Sequence, residues 1–259
     1  MGHIHLATLA KTKAWVEVIA SIAAGAGIAT IAGQSAKAAE HDLEAAARDP
    51  VFIEAVRLLL SIPLAARQVD FGNALRSVGL EISSEPSLMG IVMAVTARLD
   101  AVGATNSAKS DFSALATRSL TSALVDCIGS DLPGLFGPTA EDVRLSSRKF
   151  SYSNGIAVLT RTFFGTIVSS SLSYWLDRIL AHQIGDDRRF ADISQRAEFD
   201  RSLRQYSSEV TRIIQEFAGG WYGKTVYEKG GIGSSEARDF GYVGLKKITA
   251  ELRVRRNPE

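Results

Sequence analysis

The sequence predicts an all-α protein, a multi-helix globular bundle with eight or more helices. Three observations predict it. Apolar residues recur three and four apart along nearly the whole chain, the spacing that lines one face of a helix. Period-two alternation is missing except in the short stretch His3 to Leu9, which reads at best as an edge strand. Asp-Pro starts and Gly stops fall at the ends of the periodic segments.

The composition fits a globular chain. Of 259 residues 46 % are apolar and 22 % charged, with 29 basic against 28 acidic side chains. That balance excludes a disordered chain. Gly and Pro, 22 and 6, are too few and aperiodic for a fibrous one. The lone Cys127 excludes an internal disulfide and a cysteine-based zinc site.

The first element is the hardest to read. Lys11 and Lys13 precede an uncharged run, Val18 to Ala36, closed by Ala36-Lys37-Ala38. This imitates a secretory signal, but Trp15 and Glu17 interrupt it and the run is rich in Ala and Gly rather than Leu. We expect two soluble helices that turn at Gly25 to Gly27, with Ser21, Gly25, Ala29 and Gly33 forming a small-residue packing face. A helix-turn-helix over residues 14–47 is the other reading. Its second helix offers only Lys37 as a cation, and Glu40, Asp42 and Glu44 follow, which argues against nucleic acid.

Asp49-Pro50 starts the next helix as N-cap and first residue, with Phe52, Val56, Leu59 and Leu60 on one face and Pro63 as its expected end. Asp70 caps a short helix that Gly79 closes. Pro86 opens another, striped by Leu88, Ile91, Val92, Val95, Leu99 and Val102 and ending at Gly103. The polar stretch Gly103 to Ser110 reads as a linker, dividing an N-terminal lobe (1–105) from a C-terminal lobe (106–259), although one continuous fold is equally consistent. Asp111 starts a helix carrying Leu115, Leu120, Leu124 and Val125, and Gly129 to Pro138 is loop. Thr139 with Asp142 makes a near capping box. Ile156, Leu159, Phe163, Ile167, Trp175 and Ile179 belong to one long helix, broken at Gly185 to Arg189. Phe199, Leu203, Tyr206, Val210, Ile213 and Phe217 form a heptad-like seam that Gly219-Gly220 is expected to stop. Phe240, Val243, Leu245, Ile248 and Leu252 mark the last helix.

Catalytic constellations are absent. No G-x-S-x-G elbow and no H-E-x-x-H occurs. Ser146 and Lys149 match S-x-x-K at chance level. Arg178 and His182 fall one residue short of the Arg-x4–6-His of HEPN-type ribonucleases. His3 and His5 share a face of an extended segment without further ligands, so no metal site is assigned. Cys127 lies among Leu124, Val125 and Ile128 and reads as an inert thiol.

One segment remains for a ligand or partner. Gly219 to Gly233 reads as a Gly-rich loop carrying Trp221, Tyr222, Lys224, Tyr227 and Lys229, good recognition material if exposed. Ala218 to Thr225 matches a relaxed phosphate-loop string, A-x-x-x-x-G-K-T, but a helix rather than a strand precedes it.

We therefore expect a cytoplasmic, non-catalytic helical subunit or adaptor of a larger assembly, such as a bacterial defence complex. It would need a protein partner or form a homo-oligomer, and it needs no cofactor. The alternatives are a nucleotide or small-molecule binder using loop 219–233 and a membrane-active effector using Val18–Ala36 or Gly155–Trp175.

Overall fold

The computed structural model of the chain describes residues 12–105, 110–133 and 137–254. Within them the fold is all-α, with helices in the order α1 (Lys13–Ala23), α2 (Ile28–Ala38), α3 (Glu40–Ala46), α4 (Pro50–Ala65), α5 (Phe71–Ser77), α6 (Leu88–Thr105), α7 (Asp111–Gly129), α8 (Ala140–Lys149), α9 (Ser153–Leu180), α10 (Ile193–Val210), α11 (Arg212–Lys229) and α12 (Ser234–Val254). The expected edge strand His3 to Leu9 and the His3–His5 pair lie outside the described residues. Among the described residues the only β pairing is an isolated bridge between Ile184 and Phe190.

The central element is α9. It packs against α11, α7, α10, α4 and α2. Its Ile156, Phe163, Phe164, Ile167 and Leu176 are fully buried, so an all-round apolar helix is here a core helix. Phe163 and Phe164 stand edge to face at 5.2 Å. The ring series continues through Phe52, 6.3 Å from Phe163, and through Phe240, 6.1 Å from Phe164. Buried apolar residues from Trp15 to Leu252 join in one cluster.

Two glycines let α12 enter this aromatic layer. A Cβ on Gly241 would lie 2.8 Å from Phe52, and one on Gly244 would lie 2.7 Å from Phe164. Neither separation is tolerable for real carbon atoms, so the ring packing requires glycine at both positions.

Capping follows the sequence closely. Asp49 accepts from the N–H groups of Val51 and Phe52 at 2.8 and 3.0 Å. Its other oxygen accepts from the Ser110 and Ser113 hydroxyls, both at 2.8 Å. The buried carboxylate thereby ties the start of α7 to the start of α4 and leaves no lone pair wasted. Asp70 caps α5, and Thr139 with Asp142 closes a full capping box on α8. The turn between α1 and α2 holds Gly25 at φ +74°.

α6 begins at Leu88 rather than Pro86 and runs past Gly103 to Thr105, and three further boundaries differ from expectation. Pro63 does not end α4, which runs to Ala65. A proline in the last turn removes one intrahelical bond only, and the buried Ile62, Pro63 and Ala65 keep the turn packed. The seam from Phe199 to Phe217 is not one helix, because Thr211 (φ −73°, ψ −1°) separates α10 from α11. Its hydroxyl donates to the Ser207 carbonyl at 3.0 Å, an alternative backbone bond typical of buried Thr.

The third difference concerns Gly219-Gly220, which do not stop a helix. α11 runs through them to Lys229 and ends at Gly230 in the left-handed region, φ +73°. A Cβ on Gly219 would lie 2.6 Å from the Ser153 carbonyl oxygen. Gly219 is therefore a contact point between α11 and the start of α9, not a chain breaker. Gly220 has nothing within 4 Å of its missing Cβ.

Candidate functional site

The helical course of α11 disperses the residues expected to form a Gly-rich recognition loop. Tyr222 is buried, and its hydroxyl donates to the Leu60 carbonyl at 3.2 Å. Burial pushes its phenol up to about 12. Trp221 packs on Phe240 at 4.7 Å between ring centroids. Lys224 faces Glu228 at 3.8 Å, and Lys229 pairs with Glu236 at 2.6 Å. Tyr227 is 91 % exposed. Two aromatics thus serve the core, and only Lys224, Tyr227 and Lys229 of the five remain on the surface. The phosphate-loop string is interior helix, whose N–H groups are bonded within the helix and cannot cradle an anion.

Other motifs come apart similarly. Ser146 is buried and donates to the Ile128 carbonyl at 2.8 Å, while exposed Lys149 pairs with Asp131 at 3.0 Å. Burial raises the Cys127 thiol, which donates to Thr162 at 3.6 Å. A thiol held protonated is a poor nucleophile. Among the described residues no group of three or more His, Cys, Asp or Glu is placed to hold a metal.

The surface feature that does stand out is α6. Two helices among the described residues are long and apolar enough to cross a membrane by length and composition, Leu88–Thr105 and Ser153–Gln183. They use their apolar side chains differently: the Ser153–Gln183 window is 56 % buried, the Leu88–Thr105 window only 28 %. In α9 the apolar residues make the core. In α6 many face outward.

α6 is held from below by Ile91, Val95 and Leu99, which are buried. Met89 and Met93 are 64 % and 67 % exposed. Ala97, Ala101 and Ala104 continue the outward ridge. Arg98 and Asp100 are the helix's only charged side chains. Arg98 turns away from the ridge to reach Glu54 at 2.7 Å.

Glu54 is the anchor of α6. It is 6 % exposed and takes two bonds from Arg57, at 2.7 and 2.8 Å, besides the one from Arg98. Arg57 also donates to the Val78 carbonyl at 2.7 Å. Burial pushes the Glu54 carboxyl up, but the Arg57 and Arg98 hydrogen bonds outweigh it and hold it below its ordinary value. The knot joins α4, the end of α5 and α6.

Beside the ridge a groove of about 550 Å³ runs between α6 and α7, lined in part by Thr96, Leu99, Thr117, Arg118 and Thr121. Thr96, Thr117 and Thr121 each donate to a carbonyl of their own helix at 2.9, 3.1 and 3.1 Å. Their hydroxyl protons are spent internally. Val125, 44 % exposed, adds an apolar side chain from α7. The result is an apolar ridge next to a shallow groove that carries the charged Asp100 and Arg118, the relief that a second helix can pack into. None of these residues carries a recognisable sequence motif. The one available signal was that α6 holds two charges in eighteen residues.

Comparison of the chain with protein-family models, with curated proteins and with solved structures finds no match in any of the three.

Proposed function

We propose that the protein is a non-catalytic helical subunit that receives an apolar helix of a partner protein on its α6–α7 face. The observation that supports this is the outward placement of Met89 and Met93 on a helix anchored rigidly from below. Methionine is flexible and polarisable, and exposed Met side chains are favoured at surfaces that accept a helix. An exposed apolar ridge stabilises nothing in the isolated chain, whereas covering it releases transfer free energy of roughly 25 cal/mol per Å².

The test is native mass spectrometry of the protein isolated at low salt from its own source. The wild type should carry a stoichiometric partner. The double variant Met89→Lys/Met93→Lys should lose it while keeping its helical circular dichroism, because both side chains lie outside the core. Retention of the partner by the double variant would remove α6 from the interface.

The length and hydropathy of α6 favour one second reading, contact of the same ridge with a membrane. Spanning would require breaking the Arg98–Glu54 bond and exposing the Arg57 knot, so this contact would be peripheral. Flotation with liposomes separates the readings: binding without a protein partner favours the membrane, and failure to float with a partner present favours the subunit.

A further inference from the structure

We propose that a cleft formed by α3 and α12, floored by α9, binds a small, neutral, largely apolar molecule that carries an oxygen acceptor at its leading end. The site lies on elements other than the α6–α7 face, so the two readings stand or fall separately.

The cleft has a volume of about 200 Å³ and its mouth carries Glu40, Glu44, Lys246 and Arg253. Below it lies an apolar void of about 20 Å³ lined by residues including Ile167, Ser171, Leu172 and Trp175. Leu43, Leu245 and Thr249 line both, so the two adjoin. The void has room for about one water-sized group.

Three polar residues line the void, Ser171, Trp175 and Thr249, and the Thr249 hydroxyl already donates to the Leu245 carbonyl at 2.9 Å. Ser171 and Trp175 are 2 % and 4 % exposed. Four residues apart on α9, they share a face. Neither Ser171 Oγ nor Trp175 Nε1 meets a hydrogen-bond partner. Three other buried helical hydroxyls bond back to their own helix: Ser35 donates to Ile31, Thr160 to Ile156 and Ser207 to Leu203, at 2.8, 2.7 and 2.8 Å. Ser171 does not, and neither does Ser119 on α7. Trp175 also packs edge-on against Trp15 at 6.1 Å, which fixes its ring.

The chemistry of these groups selects the ligand. An indole N–H only donates, so whatever meets it must offer an acceptor. The throat is walled by Leu43, Leu245 and Thr249, whose hydroxyl proton is already given to the Leu245 carbonyl, so the body behind that acceptor is apolar. At the mouth two cations balance two anions, and Arg253 already pairs with Glu40 at 2.6 Å while Lys246 rests over the Tyr242 ring at 6.0 Å. No net field draws an ion. A ketone or alcohol with a compact hydrocarbon body meets all three conditions.

The experiment titrates the full-length, 15N-labelled protein with cyclohexanone and, separately, with methylcyclohexane, which has similar bulk and no acceptor. The three tryptophans give three indole N–H resonances, and Trp175→Phe assigns the relevant one. Cyclohexanone should shift the Trp175 resonance saturably, with methylcyclohexane binding about tenfold more weakly, the share of one hydrogen bond to a buried donor. Ser171→Ala, which removes only the hydroxyl, should weaken cyclohexanone several-fold and leave methylcyclohexane unchanged. If Trp175→Phe fails to fold, Ser171→Ala and the wild-type comparison still decide. The proposal is overturned if cyclohexanone leaves the Trp175 resonance unmoved, if both probes act equally, or if a water held on the indole is not displaced.

Discussion

Gly219 and Gly220 are neighbours in sequence, yet the structure assigns them opposite responses to the same substitution. Gly220 is exposed in the interior of α11 with nothing within 4 Å of a built Cβ. Gly220→Ala therefore removes backbone entropy from the unfolded chain at no steric cost and should stabilise by about 0.5–1 kcal/mol. A Cβ on Gly219 would meet the Ser153 carbonyl oxygen at 2.6 Å and the Ser153 carbonyl carbon at 3.1 Å. Backbone cannot rotate aside as a side chain can, so α11 would have to move off the start of α9. Overpacking of this kind costs about 1–3 kcal/mol. The same propensity gain offsets part of it, leaving a net loss of about 1–2 kcal/mol. For a chain of this size 1 kcal/mol moves Tm by roughly 2–4 °C. Urea titrations of the two variants, followed by circular dichroism, should displace the midpoint in opposite directions with an unchanged slope. If Gly220→Ala destabilises as much as Gly219→Ala, the residues are not in a helix and the account of α11 is wrong.

Further outcomes follow from the buried polar groups. Glu54→Gln should cost about 2 kcal/mol at neutral pH, since Arg57 stays buried with its charge uncompensated; Arg98, at 42 % side-chain exposure, contributes the smaller, screened share. Because the folded Glu54 carboxyl lies below its ordinary 4.5, its contribution is full above that pH and is lost as pH falls through the folded value. Acid titration of stability should accordingly be shallower in Glu54→Gln than in the wild type. Tyr222 has the opposite sense: with its phenol raised from 10.0 to about 12, its contribution holds below pH 10 and is lost as pH rises toward 12. Tyr222→Phe should lose about 1 kcal/mol at neutral pH, for the bond to Leu60, and resist alkaline unfolding better than the wild type across that window. Finally, the Cys127 thiol, raised by burial, should react with a disulfide reagent at neutral pH at least about tenfold more slowly in the folded chain than in urea; equal rates would place it on the surface.

Local signals were legible in the sequence wherever the physics is local. Asp49-Pro50, Asp70, and Thr139 with Asp142 all cap helices as their side chains allow. Gly25 and Gly79 take the positive φ expected at helix ends. Misreadings arose where a distant residue decides. Gly219 resembles a stop signal, and only its closeness to Ser153, sixty-six positions earlier, makes it a packing contact. Once the helix continues, Trp221 and Tyr222 turn toward Phe240 and Leu60, and the expected recognition loop is gone. The α6 surface was half legible. Its inward stripe of Ile91, Val95 and Leu99 shows plainly in the spacing, but Met89 and Met93 look equally apolar, and only the packing of α4 and α7 decides which side is covered. Ser171 and Trp175 give no sequence signal at all, because an unpartnered hydroxyl is a property of the surrounding helices.

Site-specific photocrosslinking reads out whether the outer face of α6 serves as an interface, as proposed. A benzoylphenylalanine placed at Met93, and as control at exposed Arg238 on α12, is irradiated in the protein's native cell and the adducts are sequenced. One dominant protein adduct is expected from position 93, mapped to an apolar helix of the partner, and none of it from position 238. Equal adducts from both positions, or none from position 93, would contradict it.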